Sequence, residues 1–280
     1  LYLNAVVGIN SSQGKTAKNT NVEYDKKLKS SSHLLTYFKK EWLILIRTPA
    51  YMTNCVGINF IWPVFIYVFI LIQKQSNFLG DYLNKVKSAD AGASLNLILV
   101  VFGISVILTA LNCLASSAIT REGKHFEIMK YMPVPLTTQL NSKALISIVI
   151  SGAGLIVYII TAFIILGISP LLTVYCVALS ILSVIFTTYL GIYIDTMNPK
   201  LIWEDEVNAL RGNYHVFFNM AISLMITAAI CIASNLLYKF ELLPVGVIFI
   251  LLILFAAAMT VFTYLLCNKK GAVNLMKIEM

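Results

Sequence analysis

The chain has 280 residues, of which 59% are hydrophobic and only 12% charged, with a net charge of +8. Soluble domains carry about a quarter charged residues, so this composition excludes an ordinary water-soluble fold. The basic excess raises nucleic acid as a partner, but the charges sit in loops between apolar stretches, and no nucleic-acid binding is expected.

A membrane-crossing helix needs about 20 apolar residues, because the hydrocarbon core is about 30 Å thick and the helix rises roughly 1.5 Å per residue. Six stretches qualify: 53–72, 93–116, 144–168, 171–194, 214–237 and 243–266. None of them contains Asp, Glu, Lys or Arg, and all are too long for barrel strands. The expected fold is therefore an all-α integral membrane domain over residues 50–268. With the N-terminal segment placed in the cytoplasm, the inner regions hold 17 Lys and Arg and the outer loops hold 4. The positive-inside rule then puts both termini in the cytoplasm of a multi-pass protein. The same basic excess suits anionic membrane lipid.

The chain opens on Leu1 and an apolar run over 1–7, which reads as the end of a preceding element; a longer protein with a preceding half is expected. Residues 1–32, rich in Ser, Asn, Lys and Gly, read as a cytoplasmic linker. Gly8 and Gly14-Lys15-Thr16 imitate a phosphate-binding loop, but five residues rather than four separate the glycines, and no nucleotide is expected there. Ser30 to Ser32 suit the cap of a helix over 33–49. Leu35, Phe38, Trp42 and Leu45 form one apolar stripe at spacings of three and four, with Lys39, Lys40 and Arg47 around it. That pattern predicts an amphipathic helix lying on the inner leaflet, rather than a plain extension of the first span. Pro49 ends it.

The stretch 73–92 reads as a polar outer loop. After the second span comes 117–143, where Ile119, Gly123, Phe126 and Met129 make a narrow apolar face. Arg121, Glu122, Lys124, Glu127 and Lys130 populate the remainder, and Pro133 and Pro135 terminate the helix. Phe126 and Met129 are expected to fill a pocket on a partner. The competing reading is an amphipathic loop resting on lipid. Ser147, Ser151, Gly152 and Gly154 mark close helix packing in the third span. Ser169-Pro170 makes a tight hairpin.

The loop 195–212 carries Asp195, Glu204, Asp205 and Glu206; the three consecutive acids would diverge, so a solvated loop is expected rather than a cation site. Pro199 and Trp203 fix the membrane exit there, and the loop's acids could brace the 117–143 segment through opposite charge. The last two spans are joined by a short turn, with re-entrant helices as an alternative. Residues 269–280 read as a cytoplasmic tail. Five cysteines without metal or redox spacing read as packing residues, and His33, His125 and His215 suggest no metal site. Asn96, Asn112, Asn219 and Asn235 need partners in hydrocarbon and are expected to bond across helices.

Three stretches carry a resemblance. Ser117 to Pro133 reads Ser-x-x-x-Arg-Glu-Gly-Lys-x-Phe-x-x-x-Lys-x-x-Pro, followed by Lys143. Lys40-Glu41 precedes Arg47-Thr48-Pro49, and Asp195 is followed by Pro199-Lys200-Leu201, Trp203 and Glu206. The order resembles permease subunits of type-2 ATP-binding-cassette (ABC) transporters, within a bacterial branch having two six-span halves per chain. The resemblance implies that the 118–132 helix is a cytoplasmic coupling helix seated in a separate ATPase subunit. On that view Arg121, Glu122, Gly123, Lys124, Phe126, Met129, Lys130 and Pro133 couple to the ATPase. Asp195, Pro199, Lys200, Trp203 and Glu206 support them, and Leu35, Phe38, Trp42 and Arg47 anchor the interfacial helix. It further implies a bacterial cell-membrane exporter with no catalysis of its own. ATP and Mg²⁺ would sit on the partner, and a second six-span half would complete the path.

The rivals are a secondary transporter or channel, an intramembrane enzyme, and a structural subunit. Ion-coupled transporters keep ionisable residues in their spans at a cost of roughly 2.5–3.5 kcal/mol each, and the six stretches have none. No Ser/His or His-Glu-x-x-His arrangement stands on a span.

Overall fold

The computed structural model describes residues 32–74, 77–210 and 213–278. The expected linker and its phosphate-loop imitation lie outside the described residues, apart from Ser32. Among the described residues every regular element is a helix.

Helix α1 (His33–Arg47) ends where Thr48 turns extended ahead of Pro49. The first span starts at Pro49–Tyr51, widens into a π turn at Met52–Gly57 and continues as α2 (Ile58–Lys74). The stretch expected as an outer loop instead holds α3 (Asn77–Lys87). Its Leu83 and Val86, three apart, are buried in the main apolar cluster, which is what folds this short segment. The Asp90 carboxylate accepts the Ala93 N–H and caps α4 (Ala91–Leu111).

The second span, expected to be unbroken, is interrupted at Asn112, whose backbone is extended, before α5 (Cys113–Ser116). A break in hydrocarbon is tolerated only where the freed polar groups find partners. Asn112 supplies them. Its Oδ1 accepts the Leu114 N–H, and its Nδ2 donates to Ser151 Oγ at 2.8 Å and Asn59 Oδ1 at 3.3 Å. A 3₁₀ turn (Thr120–His125) and α6 (Phe126–Tyr131) follow.

The third span begins earlier than expected. Helix α7 (Leu136–Leu166) takes in Lys143, and α8 (Pro170–Met197) takes in Asp195, so both charges stand on long helices near their ends. A short α9 (Glu206–Leu210) precedes α10 (Tyr214–Lys239) and α11 (Val245–Leu266). These last two are continuous, which removes the re-entrant alternative. The chain then passes through a π turn (Cys267–Gly271) into α12 (Ala272–Lys277). The expected tail is thus a docked helix, with Leu275 fully buried.

Among the described residues six helices are long and apolar enough to cross a membrane, giving the chain the character of a multi-pass membrane protein. Helix α8 is the hub, packing against α4, α7, α10 and α11. Its buried Ser180, Ser183, Thr187 and Gly191 let neighbouring axes come close, and Ser180 Oγ meets Ser105 Oγ of α4 at 2.8 Å. Helix α2 is peripheral, leaning on α7 with Phe60, Ile61, Val64, Phe65 and Phe69 exposed. Between α10 and α11 opens an apolar cleft of about 730 Å³, lined among others by Ile230, Ala233, Leu251 and Phe255.

The α2–α7 contact depends on one glycine. A Cβ on Gly154 would lie 2.7 Å from the Asn59 carbonyl oxygen, whereas a Cβ on Gly152 would meet nothing within 4 Å. Gly154→Ala is therefore expected to destabilise the protein by about 1–3 kcal/mol. Gly152→Ala should leave stability unchanged or slightly raised. Thermal unfolding in detergent compares the two, and equal melting temperatures would contradict this packing.

Candidate functional site

The segment 117–135 carries the strongest sequence signal, and its structure differs from the single amphipathic helix expected. It is kinked at Gly123, whose φ of 52° and ψ of −130° suit glycine alone. The Trp203 indole occupies the space beside it, 2.6 Å from where a Cβ would stand. The kink turns the residues on its two sides differently. Arg121, Glu122 and Gly123, two of them expected on the charged outer face, are buried. Phe126 and Met129, expected to fill a partner's pocket, also turn inward, only 1% and 5% exposed. They pack with Leu140, Ala144, Ile192, Cys267 and Leu275. The exposed rim consists instead of Lys124, His125, Glu127, Ile128, Tyr131, Met132 and Pro133. Lys130 is half-buried over the Phe126 ring and donates to the Ile278 carbonyl, so it ties the rim to α12.

Beneath this segment lies an ionic cluster joining three elements. Lys143 Nζ of α7 lies 2.6 Å from Glu41 Oε1 of α1 and 2.5 Å from Glu122 Oε1. Lys40 Nζ reaches Glu122 Oε1 at 3.0 Å. Glu41, Glu122 and Lys143 are all buried. Burial pushes the Glu122 carboxyl upward, but Lys143 and Lys40 outweigh it and hold the group at about 2, below its ordinary 4.5. Glu41 and Lys143 had no role in the expected site beyond their place in the resemblance. A signal for Glu41 was present: it stands three after Phe38 and four before Leu45, on the apolar stripe itself.

Arg121 completes the cluster. Its Nε and Nη2 donate to the carbonyls of Ser117 and Leu114, and its guanidinium lies 5.6 Å from the Tyr51 ring centre. Arg121 Nη1 and Tyr51 Oη have no hydrogen-bond partner among the described residues.

A second clasp holds the other side. Asp195, fully buried at the end of α8, accepts from Ile119 N at 2.6 Å, Thr120 N at 3.0 Å and Thr120 Oγ1 at 2.6 Å. Its Oδ1 also lies 2.9 Å from His215 Nδ1 at the start of α10, so that ring nitrogen carries the hydrogen. Trp203 Nε1 donates to the Thr120 carbonyl, and Lys200 N donates to Thr120 Oγ1. Asn219 Nδ2 of α10 donates to Ser116 Oγ. Asp195, Lys200 and Trp203 thus brace the segment by hydrogen bonds to its backbone and Thr120. Among the described residues no ion pair of the kind expected joins the acids of this loop to it. His215 was missed because nothing in its spacing points to a residue 20 positions away. Pro199 is half-buried, while Glu206 is exposed and opens α9, which packs on the 3₁₀ turn and on Pro49–Tyr51.

In α1 the expected single stripe divides. Leu45 and Glu41 face inward, while Leu35 and Trp42 are exposed, Phe38 stacks on Trp42, and Arg47 is exposed. Of the four asparagines, Asn112 and Asn219 bond across helices; Asn235 bonds to Cys231 O within α10, and Asn96 is exposed. Among the described residues no three His, Cys, Asp or Glu side chains converge to hold a metal. Compared with known proteins, the chain matches no family model, no curated protein and no solved structure.

Two outcomes follow from these clasps. The unfolded Glu122 carboxyl takes its proton near 4.5 and the folded one near 2. The stabilisation is therefore complete above pH 4.5 and lost as pH falls toward 2. Melting temperature against pH should show this component in the native protein and not in Glu122→Gln; identical profiles would refute the burial. Gly123→Ala should cost about 1–3 kcal/mol from the strained backbone alone and should expose Trp203, read as quenching of its fluorescence by iodide.

Proposed function

We propose that the chain is one six-span half of the permease of an ATP-driven ABC exporter in a bacterial cell membrane. A separate ATPase subunit binds ATP and Mg²⁺, and this chain converts its closure into movement of the spans. A second six-span half, in the same protein or another copy, completes the translocation path. The termini and the 117–135 segment face the cytoplasm, on the side favoured by the distribution of Lys and Arg.

The observation that carries this reading is the way the 117–135 segment is seated. Its buried side is fastened to α1 and α7 through Glu122 and Lys143, and to α8 and α10 through Asp195 and His215. Its outer rim offers Ile128 and a Tyr131 that is 84% exposed. A loop merely resting on lipid has no need of two buried clasps. A platform that is pushed by a soluble motor does, because load on its rim then reaches four helices at once. Aromatic side chains in such a rim are the usual anchors of a protein interface. The exposed Leu35 and Trp42 of α1 suit an inner-leaflet surface. The buried charges are held by ion pairs or hydrogen bonds and gathered at one end of the bundle, which favours an external energy source over ion coupling.

Affinity purification from the native host in mild detergent tests the class: a stoichiometric ATPase subunit is expected, and its absence from folded protein would overturn the reading. Tyr131→Ala should weaken that recovery at least tenfold without lowering the melting temperature. Phe126→Ala should instead lower the melting temperature, by the equivalent of about 3–5 kcal/mol for an emptied aromatic site. Crosslinking of rim cysteines to the ATPase reads the same contact directly.

A further inference from the structure

Five cysteines are free thiols, and sequence spacing gives no reason to pair any of them. The fold pairs two. Cys55 Sγ and Cys113 Sγ lie 2.9 Å apart, although they are 58 positions apart in the chain. Both sit where a span loses regular helical geometry. Cys55 belongs to the π turn Met52–Gly57, and Cys113 follows directly on the break at Asn112. The two irregularities face each other: α5 packs on the π turn, and Asn112 Nδ2 also reaches Asn59. π turns inside helices recur at functional sites.

We propose that Cys55 and Cys113 are the partners of a reversible disulfide that staples the first span to the break in the second. Bringing the sulfurs from 2.9 Å to the bonded distance of about 2.05 Å needs only a sub-ångström closure. Access decides the order of events. Cys55 is fully buried, whereas Cys113 is half-buried beside the exposed Asn54, whose carbonyl its thiol approaches at 3.7 Å. A hydroperoxide is the oxidant. Its O–O bond breaks as Cys113 becomes a sulfenic acid and one water (or alcohol) leaves. The Cys55 sulfur then attacks the Cys113 sulfur, the S–O bond breaks, and a second water carries away the oxygen and the thiol proton. Two thiols lose two electrons and two protons in all, and the peroxide is reduced. A dithiol reverses the reaction by exchange.

The other cysteines are placed differently. Cys176 and Cys231 belong to the main apolar cluster and Cys267 to the cluster under α6, while Cys55 and Cys113 share a third. The staple would fix the first span to the chain leading directly into the 117–135 segment. In a reducing compartment the thiols are the resting state and the disulfide a transient one. This inference does not depend on the permease reading.

The test uses the full chain purified in detergent, treated with hydrogen peroxide, alkylated and digested without reductant for mass spectrometry. A crosslinked Cys55–Cys113 peptide is expected, with two of the five thiols lost and both restored by dithiothreitol. Cys113→Ser should abolish the crosslink and preserve the Cys55 thiol. Cys55→Ser should leave a Cys113 sulfenic acid that dimedone traps; Cys→Ala versions serve if serine impairs folding. A sulfenic acid accumulating on Cys113 of the unaltered protein, a different pairing, or no crosslink while other thiols oxidise would overturn the proposal.

Discussion

Lys143 is an ammonium group held out of water between two carboxylates, and the arrangement of the polar end of the bundle follows from it. Removing a charge from water costs several kcal/mol, which is recovered only when partners approach in good geometry. Glu41 and Glu122 do so at 2.6 and 2.5 Å, and each comes from a different part of the chain. The cluster therefore exists only when α1, the 117–135 segment and α7 are all in place. Breaking one member strands the others, typically at about 3–5 kcal/mol, which makes the three elements stand or fall together.

Asp195 performs the same service by different means. It binds backbone N–H groups at the start of the 3₁₀ turn, groups that have no partner in their own helix, and it orients His215 at the head of α10. Trp203 then fills the concavity that Gly123 leaves. The segment is thus held from beneath by charge, from one side by hydrogen bonds, and over its kink by an indole. Only its rim remains free.

Within the apolar part of the bundle the polar side chains follow the rule of a solvent that offers no hydrogen bonds. Ser105 and Ser180 bond to each other between α4 and α8, while Thr109, Thr187 and Thr260 return to carbonyls of their own helices. The π turn of the first span and the break in the second lie side by side, where Asn112 Nδ2 donates to Asn59 Oδ1 and Asn59 Nδ2 donates to the Cys55 carbonyl. These two irregularities are partnered by each other, and the Cys55–Cys113 contact belongs to that place.

The number and nature of the spans were legible because length and hydropathy act locally: about 20 apolar residues must become a helix in lipid, whatever their neighbours. The hairpin at 169–170 and the end of α1 at Thr48-Pro49 were legible for the same reason, since proline acts on its own backbone. Even Glu41 had a local signature, lying on the apolar stripe of α1. What depended on distant partners was not. Phe126 and Met129 turn inward onto Leu140, Ile192 and Leu275, and the kink at Gly123 is covered by Trp203, some 80 positions on. The pairings Lys143–Glu41, Asp195–His215 and Cys55–Cys113 join residues between 20 and 102 positions apart, and no periodicity encodes them. The sequence by itself determined which segments leave water. Only the tertiary structure decided which charges go with them, because a buried charge is stable solely beside the partner that packing brings to it.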